Sequence, residues 1–397
     1  MHIHHSPLLA ESVLSSRVNQ QGLELSATFM KTEEQLVMLN RRQCLVIPGL
    51  LASTAKAFPQ TSVEEYIRHS AEQAPLQMQF KGTTAAECRL WQQEFAAALG
   101  RLLGPYDPPR RWETHTVSVT ELKDHTRHSL VLRAPGHPDL PVYLLRPHAA
   151  AGKRAGILAL HGHGEFGNDS IVGIASTPER QRSIATANYD YGLQLVRRGY
   201  VVAAPCLTPF GVRLGDRKGY GGQDPCAVTF IRLQLLGKVL MAENLRDALW
   251  SLELLAQQPD VDRNRLGCVG LSYGGRMTML TAALSPRVRL AVISGALNLM
   301  QERVRGKYSC GAQVIPGLLR IGDVPEIASL IAPRPCLWEV GLKDSLMVRE
   351  WIDPALERMR RAYKAFNALK NLKVDYFYGG HRWNGTRAYP LLEQILS

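Results

Sequence analysis

The sequence has little cysteine and no long apolar run. Its 397 residues contain 7 Cys, which are scattered and form no CxxC pair. A disulfide-stapled scaffold and a zinc-finger site are therefore excluded. No apolar run reaches the ~18–20 residues that a membrane helix needs, so we expect no membrane partner. Hydrophobic residues make up 45% and charged residues 21% of the chain. That composition can fill a sizeable core and excludes wholesale disorder, collagen and coiled coil.

Acidic residues are fewer than basic ones. The chain has 35 Asp and Glu against 47 Lys and Arg, a net charge of +12. The basic residues are interspersed and no nucleic-acid motif accompanies them, so we predict no nucleic-acid partner. Some fall in two predicted loops, residues 206–229 and 295–322. We favour a solvated surface for these loops over a site for an anionic substrate.

The N-terminal part allows two interpretations. Residues 38–57 combine an arginine pair, a short apolar stretch and an Ala-Lys-Ala end, the parts of a twin-arginine-like export signal. If Met38 is the true start, the mature protein begins near Phe58 and works outside the cytoplasm, periplasmic or secreted. If Met1 is the start, the segment is an ordinary helix or loop and the protein is cytoplasmic. We divide the chain into an N-terminal segment (1–57), a helical extension (58–109) and a main domain (110–397), which the motifs described below identify as catalytic.

The pattern of apolar residues predicts an α/β fold. Residues 62–104 read as helical, with a start at Ser62 and a stop at Gly104. Short β-like runs follow, and from Ala155 buried strands alternate with helical patterns, including single helices over 185–198 and 230–257. Strands buried on both faces and joined by helices predict a mostly parallel central sheet flanked by helices.

A G-x-S-x-G pentapeptide around Ser272 is the strongest chemical signal. It lies between a predicted strand that ends at Gly270 and a helical pattern that begins after Gly275. A strand, a sharp turn and a helix in this order raise a nucleophilic serine above a sheet. The alternative is a glycine-rich loop that happens to contain serine. The context of the motif favours the nucleophile.

A serine hydroxyl needs a base, and the base needs an orienting acid. His381 is the only histidine after Ser272 and follows the last predicted strand. The acid is expected beyond the preceding strand, where Asp344 lies; Glu339 within that strand, Asp323 and Asp353 are less well placed. We predict a catalytic triad of Ser272, Asp344 and His381.

An oxyanion hole needs two backbone N–H donors. One is expected from Tyr273, the residue after the nucleophile. The second is expected from the loop His161-Gly162-His163-Gly164, with His163 as donor and Gly164 close behind. A metal site at His161 and His163 lacks a third ligand nearby in the sequence, so we predict no metal and no cofactor. His161 is interpreted as a side chain that supports the turn.

These stretches give the chain a resemblance to a known group. Residues 110–397 resemble serine members of the dienelactone hydrolase-like α/β-hydrolases, which include acetyl xylan esterase-like proteins. The matching segments, in order, are 161–164, 191–205, 270–294, 310–323, 330–344 and 380–383. The resemblance implies an α/β-hydrolase fold and hydrolysis of small acyl, acetyl-type or carbohydrate esters by the same triad. True dienelactone hydrolases use a cysteine nucleophile, so dienelactone is not expected as the substrate.

Substrate contacts are predicted only from proximity along the chain. Phe166, Arg276 and Trp383 lie near the motifs and are candidates for the substrate pocket. Two other functions stay open: a serine peptidase of the oligopeptidase type, and a non-catalytic binding protein on the same scaffold. Peptidases of this type carry an upstream propeller, and this chain shows no propeller repeats there. A binding protein would be expected to have lost a triad member, and none is missing here. The sequence does not indicate an oligomeric state.

Overall fold

In the described part of the chain, nine strands form one sheet. The structure is a computed structural model that describes residues 61–148, 152–306 and 310–397. The predicted export segment, residues 38–57, and Lys307 lie outside the described residues. The sheet order is β1-β2-β3-β5-β4-β6-β7-β8-β9. The strands are β1 Glu113–Glu121, β2 His125–Arg133, β3 Leu140–Pro147, β4 Arg154–Leu160, β5 Val201–Pro205, β6 Val261–Leu271, β7 Val288–Ser294, β8 Cys336–Gly341 and β9 Leu372–Phe377.

The sheet is antiparallel at one edge and parallel elsewhere. Strands β1, β2, β3 and β5 pair antiparallel in that order, whereas β5 to β4 and all later pairs are parallel. Parallel neighbours need crossover connections, which helices supply here. The carboxyl ends of the parallel strands therefore share one edge, where sites of α/β proteins form. The predicted α/β fold class is confirmed.

Twelve α-helices occur in the described part of the chain. They are α1 Val63–Glu72, α2 Ala85–Leu103, α3 Pro178–Ala187, α4 Tyr191–Val196, α5 Pro225–Leu235, α6 Leu240–Ala256, α7 Tyr273–Leu284, α8 Met300–Gly306, α9 Leu318–Ile321, α10 Val324–Ser329, α11 Arg349–Ala365 and α12 Ala388–Leu396.

Two predicted single helices are each broken in two. The pattern over 185–198 divides at Asn188, which has a left-handed φ of 48° between α3 and α4. The pattern over 230–257 divides near Gly237, which has a φ of 68° between α5 and α6. Left-handed residues end helices, and the apolar periodicity runs on through both breaks. The prediction of unbroken helices is therefore wrong at these two places.

The core lies on both faces of the sheet. Successive side chains of a strand point to opposite faces. On β4, Leu158 and Leu160 belong to one buried cluster, and Ile157 and Ala159 belong to the other. Helices cover both clusters, which explains why the sequence of β4 is apolar throughout rather than alternating.

The N-terminal helices pack on the same core as the sheet. Helix α1 begins with a capping box between Ser62 and Glu65, as predicted, and α2 ends at Gly104 with a φ of 74°. Phe95 of α2 is fully buried, and the Gln92 amide donates to the Ala332 carbonyl at 2.7 Å. Residues 61–397 form one compact unit. The division into a helical extension and a catalytic domain stays a prediction.

Among the described residues, no single helix has the length and apolarity to cross a membrane. Helices α5 and α6 meet that test only when taken together, and they are bent by 98°.

Candidate active site

Ser272 occupies a strained turn between β6 and α7. Its φ of 63° and ψ of −122° place a non-glycine residue in a conformation that L side chains rarely adopt. The Ser272 N–H donates to the Ser294 carbonyl at 2.8 Å, and the Ser272 carbonyl accepts from Arg276 N–H at 3.0 Å. These two bonds fix the turn to β7 and to the first turn of α7. The hydroxyl is therefore held at the positive end of a 12-residue helix dipole.

The two flanking glycines are required by close backbone contacts. A Cβ at Gly274 would lie 1.9 Å from the Leu160 carbonyl oxygen, and a Cβ at Gly270 would lie 2.4 Å from the Gly274 carbonyl. Neither neighbour is a flexible side chain that can move away. The glycines of the pentapeptide thus allow β4, β6 and α7 to approach closely enough to form the turn.

His381 and Asp344 form a hydrogen-bonded pair near Ser272. Asp344 Oδ2 lies 2.7 Å from His381 Nδ1, and Asp344 Oδ1 accepts from the Leu346 N–H at 2.9 Å. The carboxylate is buried, whereas the His381 side chain is 31% exposed. The imidazole packs over Gly295, where a Cβ would lie 2.9 Å from His381 Cε1. Gly295 directly follows the β7 residue that pairs with Leu271, so the imidazole lies beside the serine turn.

The loop 161–164 packs against the same turn. A Cβ at Gly162 would lie 3.0 Å from Ser272 Cβ, and the Gly162 N–H donates to the Tyr189 hydroxyl at 2.6 Å. His161 is fully buried, and its Nε2 accepts from the Leu207 N–H at 2.8 Å. Burial lowers the pKa of His161 to about 4, so the imidazole is neutral and joins two loops.

Tyr273 and His163 are the residues predicted to supply the oxyanion donors. Tyr273 begins α7, so its backbone N–H has no acceptor within the helix. Its side chain is fully buried, and its hydroxyl accepts from the Asn244 amide at 2.6 Å. His163 lines a cavity together with Ser272, and its ring lies 5.3 Å from the rings of Phe210 and Tyr273. Gly164 is exposed, with a φ of 152°.

A small cavity opens above Ser272. Its volume is about 210 Å³, and its lining comprises His163, Ser272, Gly295, Ala296, Asn298, Arg303, Cys310, Gln313 and Leu346. Most of these residues lie in the segment 295–322 after β7, so part of the loop that we expected to be a solvated surface lines this cavity. Arg303 donates to the Leu346 carbonyl at 3.1 Å, and burial lowers the pKa of its guanidinium.

Two predicted substrate contacts are wrong in this structure. Trp383 is fully buried and stacks on Tyr191 with 4.9 Å between ring centroids, so the indole is part of the core. Phe166 is half-buried beneath the Arg180 guanidinium, 4.6 Å from the ring centroid, and does not line the cavity with Ser272. Both side chains are near the motifs along the chain, but neither lines the cavity with Ser272.

Arg276 reaches the cavity only through a neighbour. Its side chain is 3% exposed and donates from Nη2 to Asn298, which lines the cavity. Within the described residues, its Nε and Nη1 have no hydrogen-bond partner. Burial, together with the nearby Arg303, lowers the pKa of Arg276 to about 10. The prediction of a direct substrate contact is therefore corrected to an indirect one.

The other candidate acids have structural surroundings. Glu339 is fully buried and accepts from the N–H groups of Asn384 at 3.1 Å and Gly385 at 2.7 Å. It thereby anchors the loop that carries His381, and burial raises its pKa to about 7. Asp323 caps α10 and accepts from the N–H groups of Met300 and Gln301 at 2.8 and 2.9 Å. Neither carboxylate bonds to His381.

The basic loop 206–229 is partly neutralised by ion pairs. Arg213 is paired with the buried carboxylate of Asp247. Arg217 lies 3.1 Å from Glu165. The Arg213 pair is nearly buried and supports a structural role, whereas the exposed Arg217 pair agrees with the preference for a solvated surface.

Comparisons with known proteins agree with this architecture. Residues 184–301 match the dienelactone hydrolase family. A Bacillus subtilis (strain 168) protein named "Putative hydrolase YtaP" is 28% identical over 293 residues, which cover 71% of this chain and 91% of that protein. A solved structure described as a "putative acetyl xylan esterase" from Bacteroides fragilis NCTC 9343 superposes with a TM-score of 0.70 at 18% identity. It covers 87% of this chain and 97% of its own. A glucuronoyl esterase from Solibacter usitatus gives a TM-score of 0.57 at 15% identity, covering 78% and 93% of the two chains.

The fold is therefore the α/β-hydrolase fold. Within that fold, residues 184–301 match the dienelactone hydrolase family, in agreement with a hydrolase. The resemblance stated from the sequence motifs is confirmed.

Proposed function

We propose that the protein is a serine carboxylic-ester hydrolase that works through an acyl-enzyme intermediate. The observation that carries the proposal is the hydrogen bond of 2.7 Å between Asp344 Oδ2 and His381 Nδ1, with the imidazole packed beside the strained turn of Ser272. A buried carboxylate on Nδ1 holds the proton there and leaves Nε2 free as a base.

In the proposed reaction, Ser272 Oγ attacks the ester carbonyl carbon while His381 Nε2 takes the hydroxyl proton. Collapse of the tetrahedral intermediate breaks the bond to the leaving alcohol, which receives that proton from His381. Water then attacks the acyl-enzyme, giving one proton to His381, and the carboxylic acid leaves as Ser272 regains its hydrogen. Asp344 stabilises the imidazolium in both halves.

The developing oxyanion is proposed to accept from the backbone N–H groups of Tyr273 and His163, with Gly164 close behind. Two features support this assignment. Tyr273 begins α7, so its N–H and the helix dipole act together. The loop that carries His163 packs against the serine turn through Gly162.

The substrate class is proposed to be a small acyl or uronoyl ester of a carbohydrate. A cavity of about 210 Å³ suits a short acyl group, and Arg303, Gln313 and Asn298 give it polar walls. The structural neighbours described as acetyl xylan and glucuronoyl esterases favour the same chemistry. An acetyl ester is the simplest substrate that fits this space.

The test combines an active-site probe with two substrates. Full-length protein is treated with a fluorophosphonate, digested and mapped by mass spectrometry, and turnover is measured on p-nitrophenyl acetate and on an amino-acyl anilide. We expect a single label on Ser272 and faster turnover of the ester. Ser272→Ala is expected to lower kcat by on the order of 10⁴–10⁶-fold, as removal of a triad member does.

Ser285→Ala provides a control, because Ser285 is a serine at the far end of α7, away from the turn of Ser272. It is expected to keep both label and activity. Absence of any label on Ser272 would refute the enzyme mechanism and favour a binding protein. Anilide turnover above ester turnover would favour a peptidase.

A further inference from the structure

Three soft ligand side chains converge beside the cavity. One ligand atom each from His163, Cys226 and Cys310 lies within 4.8 Å of the other two. The three come from separate segments: the loop after β4, the first turn of α5, and the turn before residues 311–313. The proposed ester hydrolysis uses the backbone of His163 and neither thiol. The sequence around His163 shows no third metal ligand, because both cysteines are distant along the chain.

The donor set matches a thiophilic divalent cation. Two cysteine sulfurs and one imidazole nitrogen are a common Zn²⁺ set, and thiolates select zinc over harder ions. Zinc–ligand bonds of about 2.0–2.3 Å in a tetrahedral site put donor atoms about 3.6 Å apart. Donors that already lie within 4.8 Å need to move by only about 1 Å.

The surroundings of the cluster favour binding and entry. The Cys310 Sγ accepts from the Ala312 N–H at 3.4 Å, and the His163 ring is held against Phe210 and Tyr273. Both cysteines are buried, whereas His163 is exposed. His163 and Cys310 line the cavity above Ser272, so an ion reaches them from the solvent through that opening.

We propose that His163, Cys226 and Cys310 bind one Zn²⁺ ion, with the fourth coordination position open to the cavity. On binding, each thiol releases one proton to solvent and no electron is transferred. The ion would therefore lie on the wall of the cavity that Ser272 also lines.

The site is tested on full-length protein that has been reduced and freed of metal with a chelator. Zn²⁺ is titrated in competition with a chromogenic chelator, and Cd²⁺ is titrated while its thiolate charge-transfer absorption is recorded. We expect one ion per chain and a thiolate band. Cys226→Ser and Cys310→Ser should abolish stoichiometric binding. His163→Ala should weaken binding by at least about 10-fold, since even groups that only support a ligand contribute that much.

Two controls separate this site from other zinc ligands. Cys88→Ser removes a buried thiol on α2, outside the cluster, and should bind like the unmodified protein. His2, His4 and His5 at the start of the chain are a competing ligand set that every variant keeps. Zinc binding with unchanged affinity and stoichiometry in Cys310→Ser would lie outside the cluster and would overturn the proposal.

A measurement on the unmodified protein keeps the test independent of variant folding. Alkylation of the thiols is followed by peptide mass spectrometry with and without Zn²⁺. We expect Zn²⁺ to slow alkylation of Cys226 and Cys310 together. Unchanged alkylation at both would overturn the proposal. So would isolation of the pair as a disulfide in a protein that binds no Zn²⁺ after reduction.

Discussion

Glu339 makes the stability of the protein depend on pH in a way that one substitution removes. Its carboxyl group is fully buried and accepts from two backbone N–H groups of the loop after His381. Burial raises its pKa from 4.5 to about 7. Glu339→Gln keeps the shape and one acceptor oxygen but removes the ionisation. The lost bond to one N–H costs about 1–3 kcal/mol at every pH.

The sign and the size of the effect follow from the two pKa values. The pKa of Glu339 is higher in the folded protein than in the unfolded chain. Its contribution to the free energy of unfolding is therefore fully present below pH 4.5 and is lost as the pH rises to about 7. At about 1.4 kcal/mol per pH unit, that interval corresponds to at most about 3 kcal/mol. The unmodified protein loses this contribution as the pH rises, whereas Glu339→Gln does not, because the amide has no proton to release in this range. The variant should therefore gain up to about 3 kcal/mol relative to the unmodified protein between pH 4.5 and 7.

The assay is urea unfolding of both proteins at several pH values across that interval, with the difference in unfolding free energy plotted against pH. Burial lowers the pKa of His161 from 6.5 to about 4. The contribution of His161 to the free energy of unfolding is therefore lost as the pH falls below 6.5, in the opposite direction to that of Glu339. It is present in both proteins and cancels in the difference. Glu393→Gln on the exposed face of α12 controls for the loss of one charge. A difference that stays constant with pH would refute the reasoning.

Three further outcomes are expected. Asp344→Asn should lower kcat on p-nitrophenyl acetate by about 10⁴-fold with an unchanged circular dichroism spectrum, because the amide favours the wrong tautomer of His381; a loss below tenfold would contradict the triad. Trp383→Ala should destabilise the protein by about 3–5 kcal/mol in urea unfolding and leave KM unchanged, since the indole is packed on Tyr191. A changed KM without a loss of stability would show that Trp383 contacts the substrate after all. Gly295→Ala should lower the free energy of unfolding by about 1–2 kcal/mol, because the position has a positive φ. Measured well below the unfolding temperature, the variant should also have a lower kcat, because the new Cβ would lie 2.9 Å from the imidazole of His381 and displace it. Full activity of this variant would contradict the contact.

The fold class and the serine turn could be predicted because they depend on residues that are close together along the chain. The strand, the pentapeptide and the helix around Ser272 are consecutive in the sequence. The contacts that require Gly270 and Gly274 are made within that turn and with β4, the neighbouring strand in the sheet. His381 could be selected as the partner because no other histidine follows Ser272. Asp344 could be selected because parallel strands end at one edge of the sheet. The helix breaks at Asn188 and Gly237 were missed because apolar periodicity continues across them.

Sequence alone thus determined the alternation of strands and helices apart from the two helix breaks, the family resemblance and the identity of the triad candidates. Each of these depends on neighbours along the chain or on the order of strand ends. Only the tertiary structure decided which side chains face the cavity. It buried Trp383, placed Asn298 between Arg276 and the cavity, and brought Cys226 and Cys310 to His163. The physical reason is that these contacts join segments far apart in sequence, and packing of the whole core selects among the directions that each side chain can take.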